Sequence, residues 1–203
     1  MSVDTRDPYK VVREFEEALC KYTGAPHAVA VDSCTNALFL CMTLRANEAM
    51  TVGIPKRTYA GVAQAARNAG YRIIWRDVHW VGRYELQPLD IIDSAKWLYG
   101  GMYGDTTGKL VCLSFQAAKT LPIGRGGAIL TDNEEDAMRL RMMSFDGRAR
   151  GVSLMEQASF SSGWHMYMPP PDASRGLWLL SWMKQNNPPQ AGEYPDLSEK
   201  EWR

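Results

Sequence analysis

After Asp7-Pro8, apolar residues recur at helical spacing: Val11, Val12, Phe15, Leu19 and Tyr22 mark one face, and Gly24 stops the run. The spacing predicts a helix with one buried stripe. Ala28-Val29-Ala30-Val31 is instead a short β-rich run, followed by a turn of small polar residues over 32–36 and a buried helix over 37–44. The order then returns, with a strand over 50–54, an Ala-rich helix over 58–68 and a strand over 71–75. Alternation of this kind predicts an α/β fold with a mostly parallel central sheet flanked by helices.

Between Asp77 and Pro88 the pattern weakens into a loop or irregular crossing. Two further strand candidates follow, one over 89–93 ending in Asp93 and one over 110–115. Gly124-Arg125-Gly126-Gly127 leads into a strand over 128–131, and Asp132-Asn133-Glu134-Glu135 opens a helix to about Met143 with a capping-box signature. The prolines of 166–171 exclude that stretch from a helix, and 173–184 reads as one. Residues 1–185 are therefore expected to form one large domain. The remainder, 186–203, reads as a Pro-rich linker and a charged tail with too few apolar partners to fold alone.

Composition narrows the class. At 203 residues with 45% hydrophobic residues, the chain can bury roughly 70% of its unfolded surface, enough for a core without disulfides or a structural metal. With 23 basic residues against 23 acidic ones, it projects no field toward nucleic acid or an anionic membrane, so neither is expected as a partner. The first ten residues are polar, unlike a signal peptide, and no apolar run approaches the roughly 20 residues of a spanning helix. Cys20, Cys34, Cys41 and Cys112 show no Cys-x-x-Cys spacing and read as reduced thiols. The expected compartment is the cytoplasm.

In parallel α/β sheets, ligands gather outside the carboxyl ends of the strands, and three such places carry chemistry. Ser33-Cys34-Thr35-Asn36 combines hydroxyls with the amides of a helix start, a setting for a phosphate, although the same residues serve as a plain N-cap. Asp93 ends an apolar strand, where a carboxylate is costly unless it meets a cation such as a protonated heterocyclic nitrogen; it could equally cap a helix at Ser94. Lys119 follows the apolar strand through Ser114, and there it is either a partly desolvated nucleophile or an exposed loop lysine.

Taken in this order and spacing, the segments resemble the DegT-type nucleotide-sugar aminotransferases, a branch of the fold-type I pyridoxal-phosphate (PLP) enzymes. The resemblance is densest from Val111 through Lys119 and Gly124 to Asp132, which is similar to the family's Ser-Phe-x-x-x-Lys strand and loop and its Gly-x-Gly-Gly turn. It implies that Lys119 forms the internal aldimine with PLP and shuttles the proton. It also implies that Asp93 pairs with the pyridine nitrogen, that Ser33, Cys34, Thr35 and Ser114 surround the phosphate, and that Tyr59 of Pro55-Lys56-Arg57-Thr58-Tyr59 stacks on the ring. Gly163 to Met168 is similar to an element whose Asn reaches the neighbouring subunit's phosphate. His165 holds that position, and Tyr167 holds the family's Arg position.

The chain also departs from the pattern. Cys34 replaces a Gly, Lys96 stands where the family has Gln or His over the cofactor's phenolic oxygen, Thr120 replaces Asn and Arg125 replaces Glu. The chain is far shorter than a typical member; the stretch from Asp77 to Asp93 looks like a deletion of a strand and helix, and no C-terminal small domain is expected after Lys184. The resemblance thus implies a truncated large domain of a PLP-dependent transferase, working as a homodimer. Its amino donor would be an amino acid, glutamate in most of the family, and its acceptor a nucleotide-linked keto-sugar. A lysine at position 119 speaks against the family's dehydratase branch, which has His there. Two alternatives stay open at this point: a PLP-fold protein with reduced catalysis, and a structural or interaction module.

Overall fold

The computed structural model describes residues 7–46 and 50–202. Helix α1 (Lys10–Thr23) forms on the apolar stripe read from the sequence and buries Val12, Phe15 and Leu19. It ends at Gly24, whose left-handed backbone (φ 79°) lets its N–H reach the Cys20 carbonyl at 2.9 Å. Strand β1 (His27–Val31) and helix α2 (Cys34–Leu44) come next, then β2 (Thr51–Pro55), α3 (Ala60–Asn68) and β3 (Arg72–Arg76). The irregular stretch holds only a two-residue strand, β4 (Tyr84–Glu85), which leads into β5 (Ile91–Asp93). Strands β6 (Leu110–Ser114) and β7 (Gly127–Thr131) precede helix α4 (Glu134–Met143), and α5 (Pro170–Ser181) follows.

Five strands make the main sheet in the order β1-β7-β6-β5-β4, and β2 and β3 form a separate parallel pair. The expectation of a mostly parallel sheet is corrected here: in the main sheet only β5 and β6 pair in parallel, while β1–β7, β6–β7 and β4–β5 are antiparallel. Connection length explains the difference. A parallel return needs a crossover of a dozen or more residues, usually a helix. The link from β4 to β5 is too short for one, and the loop from Ser114 to Gly127 contains none. Even so, β1, β5 and β6 run in one direction, so their carboxyl ends open on the same side.

Helices cover both faces of this sheet. Val29, Val31, Ile91, Cys112 and Ile129 point to one side and pack with α2, α3 and α4. Ala28, Ala30, Val111, Leu113 and Leu130 point to the other and pack with α1 and α5. Two-sided burial is why these strands read as continuous apolar runs rather than alternating ones. Helix α5 starts earlier than expected, because Pro170 and Pro171 fill its first turn, where a missing N–H breaks no helical bond. Among the described residues, no helix is long and apolar enough to cross a membrane.

Residues 186–202 run back over this body. Leu197 is buried, its N–H donates to the Lys56 carbonyl at 2.7 Å, and Trp202 lies against Trp75 with ring centroids 5.9 Å apart.

One ion cluster ties three elements together. The Arg45 guanidinium, just past α2, donates to both carboxylate oxygens of Asp90 at 3.0 and 2.9 Å and to both of Asp136 at 3.1 and 2.6 Å. Removing the cation would leave two poorly solvated carboxylates side by side. Arg45→Met is therefore expected to cost about 3–5 kcal/mol of folding stability, read as a lowered midpoint in urea unfolding.

Candidate active site

The shared opening at the ends of β1, β5 and β6 is a cleft of about 360 Å³, within the range of small-ligand sites. Ser33, Cys34, Thr35, Tyr59, Asp93, Lys96, Ser114 and Lys119 all line it, so eight of the nine site residues expected from the sequence meet in one place. His165 does not join them. Its side chain is 70% exposed, and Nδ1 lies 3.0 Å from Asp146 Oδ2, so it neither faces this cleft nor packs in the core.

Asp93 forms the floor. It is the last residue of β5, in register with Cys112 of β6, and only 5% exposed. Its Oδ1 accepts the Ala95 N–H at 2.9 Å, and its Oδ2 accepts the Tyr84 hydroxyl at 2.6 Å. Because Tyr84 spends its proton on Asp93, its oxygen is left to accept from Thr58 Oγ1, 2.7 Å away. Burial pushes the Asp93 carboxyl above its usual range, against the pull of these two hydrogen bonds and of the Lys119 charge. Tyr84 is driven well up by burial and by the adjacent carboxylate.

Lys119 stands on the loop between β6 and β7. That loop is closed at its base by the pairing of Gln116 with Gly124 and by the Gly124 N–H donating to the Phe115 carbonyl at 3.1 Å. Partial burial lowers the Lys119 amine below the ordinary lysine value, and the positive charge of Lys96 in the same cleft lowers it further; Cys34 and Asp93 oppose this. A larger share of the amine is therefore neutral, as a nucleophile or proton carrier requires. The Cys34 thiol moves the opposite way, raised well above its ordinary value by burial and by Asp93.

The remaining end of the cleft is the start of α2. Ser33 caps this helix, its Oγ accepting the Asn36 N–H at 3.2 Å. The plain capping role and the site position therefore coincide. Glycine is needed opposite: a Cβ at Gly127 would lie 2.6 Å from the Cys34 nitrogen and 2.8 Å from the Leu113 carbonyl, backbone on both sides. Gly61 does the same for the neighbouring wall, where a Cβ would strike the Tyr59 ring at 2.5 Å and Thr35 Oγ1 at 2.9 Å. Arg125 is held beside the helix start by Asp32, with Nη2 to Oδ2 at 2.8 Å.

Sequence reasoning missed Tyr84, Trp80 and Tyr194 as lining or supporting residues. Tyr84 had a faint signal, since Tyr84 and Leu86 are buried on either side of exposed Glu85 in the period of a strand. Trp80 and Tyr194 come from segments without periodicity, and nothing local marks them.

The solved structures that match share this α/β fold. Sugar aminotransferase CalS13 from Micromonospora echinospora superposes with a TM-score of 0.70 at 18% identity, covering 90% of this chain and 66% of its own. AtS13 from Actinomadura melliaura gives 0.70 at 24% identity, over 85% of this chain and 60% of its own. The profile of the DegT/DnrJ/EryC1/StrS aminotransferase family matches residues 4–91 and 90–187, and the chain belongs to that family. Among curated relatives, the UDP-4-amino-4,6-dideoxy-N-acetyl-beta-L-altrosamine transaminase of Campylobacter jejuni is 27% identical over 180 aligned positions, 68% of this chain and 48% of the relative. The spore coat polysaccharide biosynthesis protein SpsC of Bacillus subtilis is 26% identical, over 83% of this chain and 54% of its own. The chain thus spans about half the length of these curated relatives.

The effect of one amine on the other gives a direct measurement. Lys96→Gln removes the like charge and should move the pH at which Lys119 becomes half-reactive toward an acylating reagent upward, by peptide mapping across a pH series. An unmoved midpoint would mean that the two amines do not sense each other.

Proposed function

We propose that this chain is a PLP-dependent aminotransferase that moves an amino group from an amino acid, glutamate by the family pattern, to a keto-sugar carried on a nucleotide. The observation that carries the reading is the convergence of Lys119, buried Asp93 and the Ser33–Thr35 helix start on one cleft. The residues fit the cofactor. Both direct donors to Asp93, the Tyr84 hydroxyl and the Ala95 N–H, are neutral, and among the described residues no cation forms an ion pair with it. A protonated ring nitrogen is the contact charge that this buried carboxylate lacks, and each of its oxygens keeps a lone pair for one.

Asp93 would hold the proton on that nitrogen, with Tyr84 and Thr58 fixing the orientation of the carboxylate. Ser33, Thr35 and Ser114 would hold the phosphate through hydroxyls and helix-start amides, where the dipole favours an anion. Tyr59, 60% exposed at the start of α3, would cover the ring face. When bound, PLP supplies an aldehyde that amines can add to and a ring that accepts the electron pair of a broken Cα–H bond. The Lys119 Nζ, kept partly neutral by burial and Lys96, would take the donor's α-proton and return a proton to the acceptor carbon.

The reading includes a homodimer acting in the cytoplasm. Exposed Leu154, Met155 and Phe160 on one loop segment favour an apolar contact with a second copy, and a monomer in light scattering at micromolar concentration would remove that part.

Wild-type protein mixed with PLP should develop an absorbance band near the visible edge that borohydride abolishes and that Lys119→Ala lacks. Glutamate should then discharge the band. A band that ignores every amino acid tried would leave a cofactor-binding protein without transamination, and no band would end the PLP reading.

Asp93→Asn separates stability from function. A carboxyl raised by burial destabilises the fold where it is ionised, a penalty that grows as pH rises from its unfolded value near 3.9 through its folded value. The apo variant should therefore melt above wild type at pH 8 and lose that advantage toward pH 4, about the unfolded carboxyl value. Its discharge by glutamate should be largely lost. A variant that melts lower at pH 8 would contradict the burial penalty.

A further inference from the structure

The family match ends at residue 187, yet the chain beyond it is fastened over the cleft. We infer that the segment 187–202 is a built wall of this site and that Tyr194 contacts the bound cofactor. The inference rests on the proposed PLP reading for the identity of the ligand, not for the existence of the wall.

Tyr194 lines the same cleft as Lys119 and Asp93. Its ring lies nearly parallel to the Trp80 indole, 19° off with centroids 5.9 Å apart, and the Lys96 ammonium sits 5.8 Å over its face. Burial raises its phenol, and so do the charges of Asp93 and Tyr59, which line the same cleft. Those two residues bracket the ring position in the proposed site. Tyr194 therefore stands beside the ring rather than at a remote rim.

Anchors on both sides hold it there. Before it, the Trp97 Nε1–H donates to the Asn187 carbonyl at 2.9 Å, the Gln190 N–H donates to the Lys96 carbonyl at 2.9 Å, and Lys96 Nζ donates to the Ala191 carbonyl at 2.9 Å. After it, Asp196 Oδ2 lies 3.2 Å from Lys56 Nζ and 3.4 Å from Arg57 Nη2, Leu197 is 4% exposed, and the Arg67 guanidinium lies 5.7 Å over the Trp202 ring. A segment tied at both ends with an aromatic ring between them is a wall. The same tie to Ala191 also fixes the charge of Lys96, so the wall bears on Lys119 as well.

The test compares wild type, Tyr194→Ala, Tyr194→Phe and Asp196→Ala in two assays. Without cofactor, Lys119 acylation by a water-soluble succinimidyl ester is followed by peptide mapping, with exposed Lys10 as internal control. Tyr194→Ala should speed Lys119 modification relative to Lys10, Tyr194→Phe should keep most of the protection, and Asp196→Ala, which loosens the far anchor outside the cleft, should move the rate in the same direction as Tyr194→Ala. With cofactor, Tyr194→Ala should weaken PLP binding about tenfold, read by absorbance titration, with a smaller loss for Tyr194→Phe. An unchanged Lys119 rate in both Tyr194→Ala and Asp196→Ala overturns the wall. Unchanged or tighter PLP binding by Tyr194→Ala overturns the contact, the tighter case marking the segment as an obstruction. If wild type takes up no PLP, the contact falls with the PLP reading, while the cofactor-free rates still decide the wall. Should Tyr194→Ala fail to fold, Asp196→Ala decides the wall, and PLP binding by Tyr194→Phe, expected weaker than wild type, decides the contact.

Discussion

A carboxylate held almost out of water organises this molecule. Asp93 could be hydrated at no cost on a surface loop; here it closes a strand that is buried on both faces. The surrounding architecture makes that placement tolerable. The tight β4–β5 hairpin brings the Tyr84 hydroxyl back onto Oδ2, and Thr58, at the approach to α3, completes the chain of donors from a different part of the fold. Two neutral hydrogen bonds reduce the desolvation penalty without cancelling it, which leaves the carboxyl above its usual range. Local instability of this kind is common where function selects it.

The second constraint is close approach of backbone to backbone. Helix α2 starts almost in contact with the first residue of β7, which only glycine at 127 permits. That contact brings the helix start beside the end of β6 and the Lys119 loop. Antiparallel β7, lying between β1 and β6, thus does more than complete the sheet: it carries the glycine turn against which the helix start is set. The charge balance within the cleft follows from the same compression. Burial is the larger influence on each group: it raises Asp93 and Cys34 and lowers Lys119, to which the charge of Lys96 adds.

Most of this was legible in the residues themselves. The elements from Lys10 to Arg76 follow from apolar runs and stops, because two-sided burial and helical stripes leave strong patterns. Strand direction did not follow, since an antiparallel strand covered by helices on both faces is as uniformly apolar as a parallel one; loop length was the better guide. Ser33, Asp93 and Lys119 could be found because they sit just after readable strands. Tyr84 lay in a stretch whose two-residue strand leaves only a faint period, and Tyr194 lay in a proline-bearing tail whose partners, Trp80 and Lys96, are about a hundred residues away in the chain. His165 matched a motif position, but its neighbours in this chain turn it toward Asp146 and solvent.

The two β units divide the cleft between them. Tyr59 precedes α3, which rides on the β2–β3 pair, whereas Asp93 and Ser114 end strands of the main sheet. A bridge between these units is the Gly53 N–H donating to the Gln87 carbonyl at 2.7 Å. The gap between Tyr59 and Asp93 is therefore not fixed by a continuous ladder. Side-chain contact between α2 and α3, with small Ala65 and Ala66 and the branched Val62 at the seam, sets that spacing like the thickness of a gasket.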